Sequence, residues 1–290
     1  DNFRLVDNTG FAQEIRRLND VTAIVVMSQL NGDKGSRKSA AALEALQKQY
    51  PDVVFLMLNS SDKDGRKAII AEAKAQGWSI PVMDDDVQLV GEQLGVSYAG
   101  EAYVIQPKTL KVLYHGPVDK SAAKKKAKGY LAEALADVKA GRAVAVADVV
   151  GKGAAISFPE RARTLEHKAI SYSKDVAPIL EAKCVSCHQK GGIAPFAMSD
   201  YTMVKGFAPM IREAIRTDTM PPWHPDPEVG KFNNDHSLSN DQIRTIVHWV
   251  EAGAPRGEGA DPLAAVVHTA PEWPLGKPDL IINVPAYTIP

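Results

Sequence analysis

The chain has 290 residues, of which 45% are hydrophobic and 24% charged, and its net charge is −1. Such a composition belongs to a folded globular chain, excludes one that is mainly disordered, and leaves no global charge to attract nucleic acid or anionic lipid. The length predicts about two domains, each able to bury its own core, and no run of about 18 or more apolar residues offers a membrane span.

Residues 1–140 alternate β-rich runs with helical patterns and predict an α/β domain. A strand at 23–27 is followed by a helix at about 37–49 and a strand at 53–58. A helix at about 64–76, a strand at 80–83 and a helix near 87–94 come next. Two hairpin-spaced strands at 102–105 and 112–114 lead to a last helix at 121–139. The only basic run, Lys124 to Lys128 with Ala127 between, falls in that helical pattern and reads as a solvated face. The strand within 109–114, if it forms a sheet edge, would support domain pairing or self-association.

Residues 141–168 are rich in Ala, Val and Gly and read as a linker that can pack as strands. Beyond it, 172–180 predicts a helix with a capping Ser173, an acidic Asp175 in its first turn and apolar Val176, Ile179 and Leu180. That helix runs into Cys184-Val185-Ser186-Cys187-His188, and these are the only two cysteines in the chain. C-x-x-C-H is the haem c attachment pattern: two thiols add across the haem vinyls and the adjacent imidazole ligates the iron. A redox dithiol is the competing reading, but it should follow a strand, and half a zinc site would need more sulfur or histidine partners nearby.

A six-coordinate haem needs a second axial ligand, and a thioether raises the potential relative to a second imidazole. Met220 precedes Pro221-Pro222, and two prolines stiffen the loop that would present its sulfur. His224, four residues on, is the main rival, whereas His236 and His248 fit surface or capping roles better. Met198, Met203 and Met210 read as packing residues, with Met203 and Met210 flanking Phe207 on a helix that lines the haem pocket or packs beside it. The segment resembles that of small cytochromes c, which supply a backbone acceptor shortly after the ligating histidine, and this resemblance implies that the Pro195 carbonyl accepts a hydrogen bond from the His188 ring. Trp223 and Trp249 are expected against the haem edge or the helix before the motif. Ser239 and Gln242 form a capping box for a final helix that Gly253 stops. The cofactor expected is therefore one covalent haem c, with Cys184, Cys187, Pro195 and Trp223 in its site and His188 and Met220 on the metal.

The N-terminal order of elements resembles the thioredoxin fold in its redoxin form, through Ser36-Arg37-Lys38-Ser39-Ala40, Gln93-Leu94-Gly95-Val96 and Glu101-Ala102-Tyr103-Val104-Ile105. Where redoxins carry the nucleophilic cysteine this chain has Asp33-Lys34-Gly35-Ser36, and where they carry a cis-proline it has Ala99-Gly100. A carboxylate cannot replace a thiol in disulfide exchange or peroxide reduction, so this domain is expected to be a scaffold or docking module. Asp33 reads as a solvated loop carboxylate or a cation or partner contact.

Residues 169–258, with Cys184-Val185-Ser186-Cys187-His188 and Met220-Pro221-Pro222-Trp223-His224, resemble a small bacterial cytochrome c. The whole order resembles a family of bacterial secreted redoxin–cytochrome fusions, in which segments like Gly253-Ala254-Pro255-Arg256-Gly257 and Trp273-Pro274-Leu275-Gly276-Lys277-Pro278-Asp279-Leu280 follow. Many such relatives continue into a copper-dependent monooxygenase-like domain. Residues 259–290 read as an extended tail without a histidine or methionine cluster for copper, and the numbering reads as that of a mature chain. The resemblance implies an α/β thioredoxin-like domain joined to an all-α cytochrome c domain, periplasmic or extracellular, transferring electrons to redox partner proteins rather than turning over a substrate. The alternatives are a haem-containing redox enzyme fragment and a structural haem subunit of a larger complex or filament.

Overall fold

A computed structural model describes residues 1–119, 130–223, 225, 229–233, 235–265, 273, 276–286 and 288. The basic run at 124–128 and the rival ligand His224 lie outside the described residues.

The core of the first domain is a five-stranded mixed sheet in the order β5-β4-β3-β6-β7. Its strands are β3 (Ala23–Gln29), β4 (Val53–Asn59), β5 (Val82–Asp84), β6 (Glu101–Ile105) and β7 (Val112–Pro117). β3 pairs in parallel with β4 and β4 with β5, while β6 runs antiparallel to both β3 and β7. This is a thioredoxin-like arrangement, as the order of apolar runs predicts. Every residue of β3 is buried, and the pleat sends alternate side chains to opposite faces. Ala23, Val25 and Met27 pack toward α1 (Lys34–Gln47), α2 (Arg66–Gln76) and α4 (Leu131–Lys139). Ile24 and Val26 pack on the other face with Val90 of α3 (Leu89–Leu94). A hairpin absent from the sequence prediction, β1 (Arg4–Val6) with β2 (Ala12–Glu14), places Phe3 and Ile15 in that second core.

The linker at 141–168 is not a free tether. Val149 packs into the first core, and Ile156 and Phe158 into the second. Its backbone pairs with the first domain at Tyr98 with Ala155 and at His115 with Asp148. The Gly153 backbone lies so close to the first domain that a Cβ there would sit 2.2 Å from the Ala99 carbonyl oxygen. The second pairing falls on β7, where the His115 amide donates to the Ala147 carbonyl and the Val149 amide to the His115 carbonyl. The chain thus covers part of its own sheet edge, the edge expected to serve self-association. A 3₁₀ turn, Pro159–Ala162, and α5 (Thr164–Ala169) complete the connector.

The second half is helical. A π-helical turn, Tyr172–Val176, leads into α6 (Ala177–Lys183), and α7 (Tyr201–Arg216) and α8 (Asn240–Glu251) follow. The cap of the first turn is Ser171, accepting from the Lys174 amide, rather than Ser173. Ser239 and Gln242 form the expected capping box on α8. The core between these helices gathers Val176, Leu180, Val204, Ala208, Ile211, Ile246 and Trp249. Trp249 is fully buried, lies 6.3 Å from the Tyr172 ring and donates from its indole N–H to the Pro255 carbonyl at 2.9 Å. It therefore packs on the start of the helix that leads to the cysteines.

Polar contacts join the two halves. Arg244 of α8 donates to the carbonyls of Val87 and Asp86 at 3.1 Å each, and Asn240 donates to Asp86 at 2.7 Å. Arg216 donates to Gln93, and Arg4 pairs with Asp218 at 3.0 Å.

Candidate functional site

The C-x-x-C-H segment begins where α6 ends. The amides of Cys184 and Val185 donate back to the Leu180 carbonyl, and the His188 amide donates to the Cys184 carbonyl, so the helix tightens into a turn that presents both thiols. Cys184 is half-buried, Cys187 is exposed, and neither is in a disulfide. Burial, with the neighbouring Cys187 adding to it, pushes the Cys184 thiol up to about 11. A reactive thiol needs its thiolate stabilised, so this environment is the reverse of a redox dithiol's.

His188 is buried, and its orientation is set by the loop after it. The Ala194 amide donates to the Cys187 carbonyl and the Met198 amide to the His188 carbonyl, folding 189–197 over the ring. In that turn the carbonyl facing His188 Nδ1, at 3.1 Å, belongs to Phe196. The sequence placed this role on Pro195. Pro195 is exposed, because the fold of the turn brings the following carbonyl to the ring. With Nδ1–H donating to this carbonyl, Nε2 holds the free lone pair.

The Phe196 ring meets His188 edge-on at 4.7 Å and stacks on Phe207 of α7 at 3.9 Å. Phe207 shares one face of α7 with Met203 and Met210, at i, i+4 and i+7. Met210 is 63% exposed and Met203 37% exposed, so these two methionines do not pack in the core as expected. The inward stripe is instead Val204, Ala208 and Ile211, while Met198 is buried as expected. The result is an open apolar face beginning at the His188 ring. Contiguous exposed apolar patches, unlike single exposed apolar groups, mark binding areas.

Met220 follows α7, with its amide donating to the Ala214 carbonyl, and it is 42% exposed. Trp223 is half-buried, edge-on to Phe232 at 6.3 Å and to His236 at 5.5 Å. His236 is exposed. His248 is buried at the junction with the first domain, where its Nδ1 is 3.3 Å from Glu251, so it is committed elsewhere.

In the first domain Asp33 is the N-cap of α1, accepting from the Ser36 amide at 2.6 Å. Its carboxylate therefore has a structural task at the position where a redoxin nucleophile would stand. The Ala99 amide, in the loop where redoxins carry the cis-proline, donates to the Ala154 carbonyl of the connector at 2.9 Å.

No protein-family model matches the sequence, and no curated protein matches it. Among solved structures, the chain is similar to a hypothetical protein from Sinorhizobium meliloti 1021, at 22% identity over 54% of this chain and 90% of that one, with a TM-score of 0.46. It is also similar to an exposed lipoprotein thioredoxin from Streptococcus pneumoniae strain TIGR4, at 17% identity over 40% and 89% of the two chains, with a TM-score of 0.37. A peroxidoxin from Mycobacterium tuberculosis matches at 20% identity over 39% and 79%, with a TM-score of 0.35. Among the described residues no helix is long and apolar enough to cross a membrane.

Proposed function

We propose that the helical domain is a cytochrome c that carries one haem, linked through Cys184 and Cys187, and that the protein transfers single electrons. In this reading His188 Nε2 and Met220 sulfur are the axial ligands, and Trp223 packs at the edge of the site. The haem supplies a one-electron couple whose potential follows from its axial ligands and surroundings. The observation that carries the reading is the set of His188, Phe196 and Phe207 beside the two cysteines. The Phe196 carbonyl holds the His188 proton on Nδ1 and keeps Nε2 available as a ligand. Phe207, Met203 and Met210 offer an apolar face of the kind a flat macrocycle needs, and the raised Cys184 thiol argues against disulfide exchange.

The thioredoxin-like domain acts as a scaffold or docking module for redox partners or further copies of the chain. Asp33 at the nucleophile position and the connector bonded at Ala99 both support a role without thiol chemistry. The combined order fits a redoxin–cytochrome fusion acting in the periplasm or outside the cell, where such haem attachment takes place.

The test is a reduced-minus-oxidised absorption spectrum of the chain matured in a bacterial periplasm. Sharp c-type bands of a low-spin haem are expected. A chain that folds without taking up haem overturns the proposal.

A further inference from the structure

At the junction between the domains, four side chains from four elements converge. Glu160 stands in the 3₁₀ turn of the connector, His167 on α5, His248 on α8 and Glu92 on α3. The two imidazoles stack, with centroids 3.8 Å apart and planes within 8°. Glu160 Oε2 lies 3.0 Å from His167 Nε2, and Glu92 Oε2 lies 4.0 Å from His248 Nε2. One ligand atom each from Glu160, His167 and His248 fall within 4.8 Å of one another.

This group differs from an ordinary surface cluster in its unmet polar atoms. His248 is 6% exposed, and both its Nε2 and Glu92 Oε1 are buried with no hydrogen-bond partner. Buried polar atoms are almost always satisfied, so His248 Nε2, unpartnered beside Glu92 and the Glu160–His167 pair, is a donor atom open to a ligand. The tautomer is also set for a ligand. Glu251 Oε2 sits 3.3 Å from His248 Nδ1 while Arg212 holds the other carboxylate oxygen, Oε1, at 2.6 Å, which keeps the proton on Nδ1 and the lone pair on Nε2.

We propose that Glu160, His167 and His248, completed by Glu92, bind one zinc ion that ties the connector to both domains. Two imidazoles and two carboxylates are a donor set zinc accepts in tetrahedral geometry. Zinc–ligand bonds of about 2.0–2.2 Å bring the ligand atoms to about 3.3–3.6 Å from one another. Reaching that size requires side-chain rotation that turns the two imidazoles out of their stack toward one centre. None of these residues belongs to the C-x-x-C-H segment, so the site stands whether or not that segment carries haem.

The test is calorimetric titration of Zn²⁺ into the chelator-treated full chain, with Co²⁺ absorption as a second probe of tetrahedral coordination. A Cys184→Ser/Cys187→Ser variant separates this site from the thiols. One ion per chain is expected, retained in the cysteine variant and lost in His167→Gln and in Glu160→Gln. Both of those residues lie outside the helical core, so circular dichroism should show them folded. Glu251→Gln should weaken binding about 10–100-fold, as loss of an orienting partner does. No saturable binding at micromolar or lower concentration, or binding that disappears with the cysteines and survives His167→Gln, overturns the proposal.

Discussion

Asp85 gives the most quantitative expectation. Its carboxylate is buried beneath the start of α3, accepting from Ser60 Oγ at 2.6 Å, the Gly91 amide at 2.8 Å and the Val90 amide at 3.2 Å. Burial dominates these three donors, and with Asp86 adjacent it pushes the carboxyl from an ordinary 3.8 up to about 6. Between about pH 3.8 and 6 the native state therefore holds a proton that the unfolded chain has released. The stability due to this group is full below pH 3.8 and is lost as pH rises through 6. The whole difference corresponds to about 3 kcal/mol, of which between about 1 and 2 kcal/mol falls between pH 5 and pH 8. Asp85→Asn removes the titration but orphans one amide, a cost of about 1–3 kcal/mol. Urea unfolding of both proteins across that pH range should show the variant less stable at pH 5, with the gap narrowing by about 1–2 kcal/mol at pH 8. A gap that stays constant with pH would refute the reasoning, since the buried carboxyl would then not titrate differently in the two states.

Three further outcomes follow from other parts of the molecule. Trp249→Ala empties the fully buried centre of the helical core and should destabilise it by about 3–5 kcal/mol in denaturant unfolding. Burial works against the ionised Glu251, but hydrogen bonds from His248 and Arg212 hold it down to about 2. The stability it contributes is therefore present above its ordinary value and lost as pH falls toward 2. Arg212→Ala should flatten that acid limb, by no more than about 1 kcal/mol because the pair is partly solvated, as measured by the acid midpoint of unfolding. In the haem-loaded protein, Met220→Ala should produce a high-spin oxidised spectrum while His224→Ala leaves it low-spin; the reverse pattern would move the sixth ligand to His224.

Much of the α/β domain was legible because buried strands carry their own signal. The runs at 23–27 and 53–58 are continuous and apolar since both sheet faces are covered, and the structure extends each by one or two residues. The capping box at Ser239 was equally plain, because its chemistry is local. The β1–β2 hairpin was not, since strands of three residues carry no usable period. On α7 two apolar stripes lie about 100° apart, one through Val204 and Ala208 and one through Met203 and Phe207, and periodicity alone does not say which faces inward. The Phe196 carbonyl was missed by one residue because a turn's exact path depends on its tertiary hydrogen bonds. The linker's capacity to pack as strands was legible, but the places where it docks and the Glu160, His167 and His248 cluster were not, for a related reason. They join residues far apart in sequence, and the only local sign was a histidine within the apolar pattern of α8.

The central claim is covalent attachment of one haem at Cys184 and Cys187. Its most direct test is the intact mass of the acid-denatured chain after expression with cytochrome c maturation, compared with Cys184→Ala/Cys187→Ala. One haem should be retained by the denatured chain and none by the variant. A denatured chain that carries no haem, although maturation succeeds for a control cytochrome in the same cells, would contradict it.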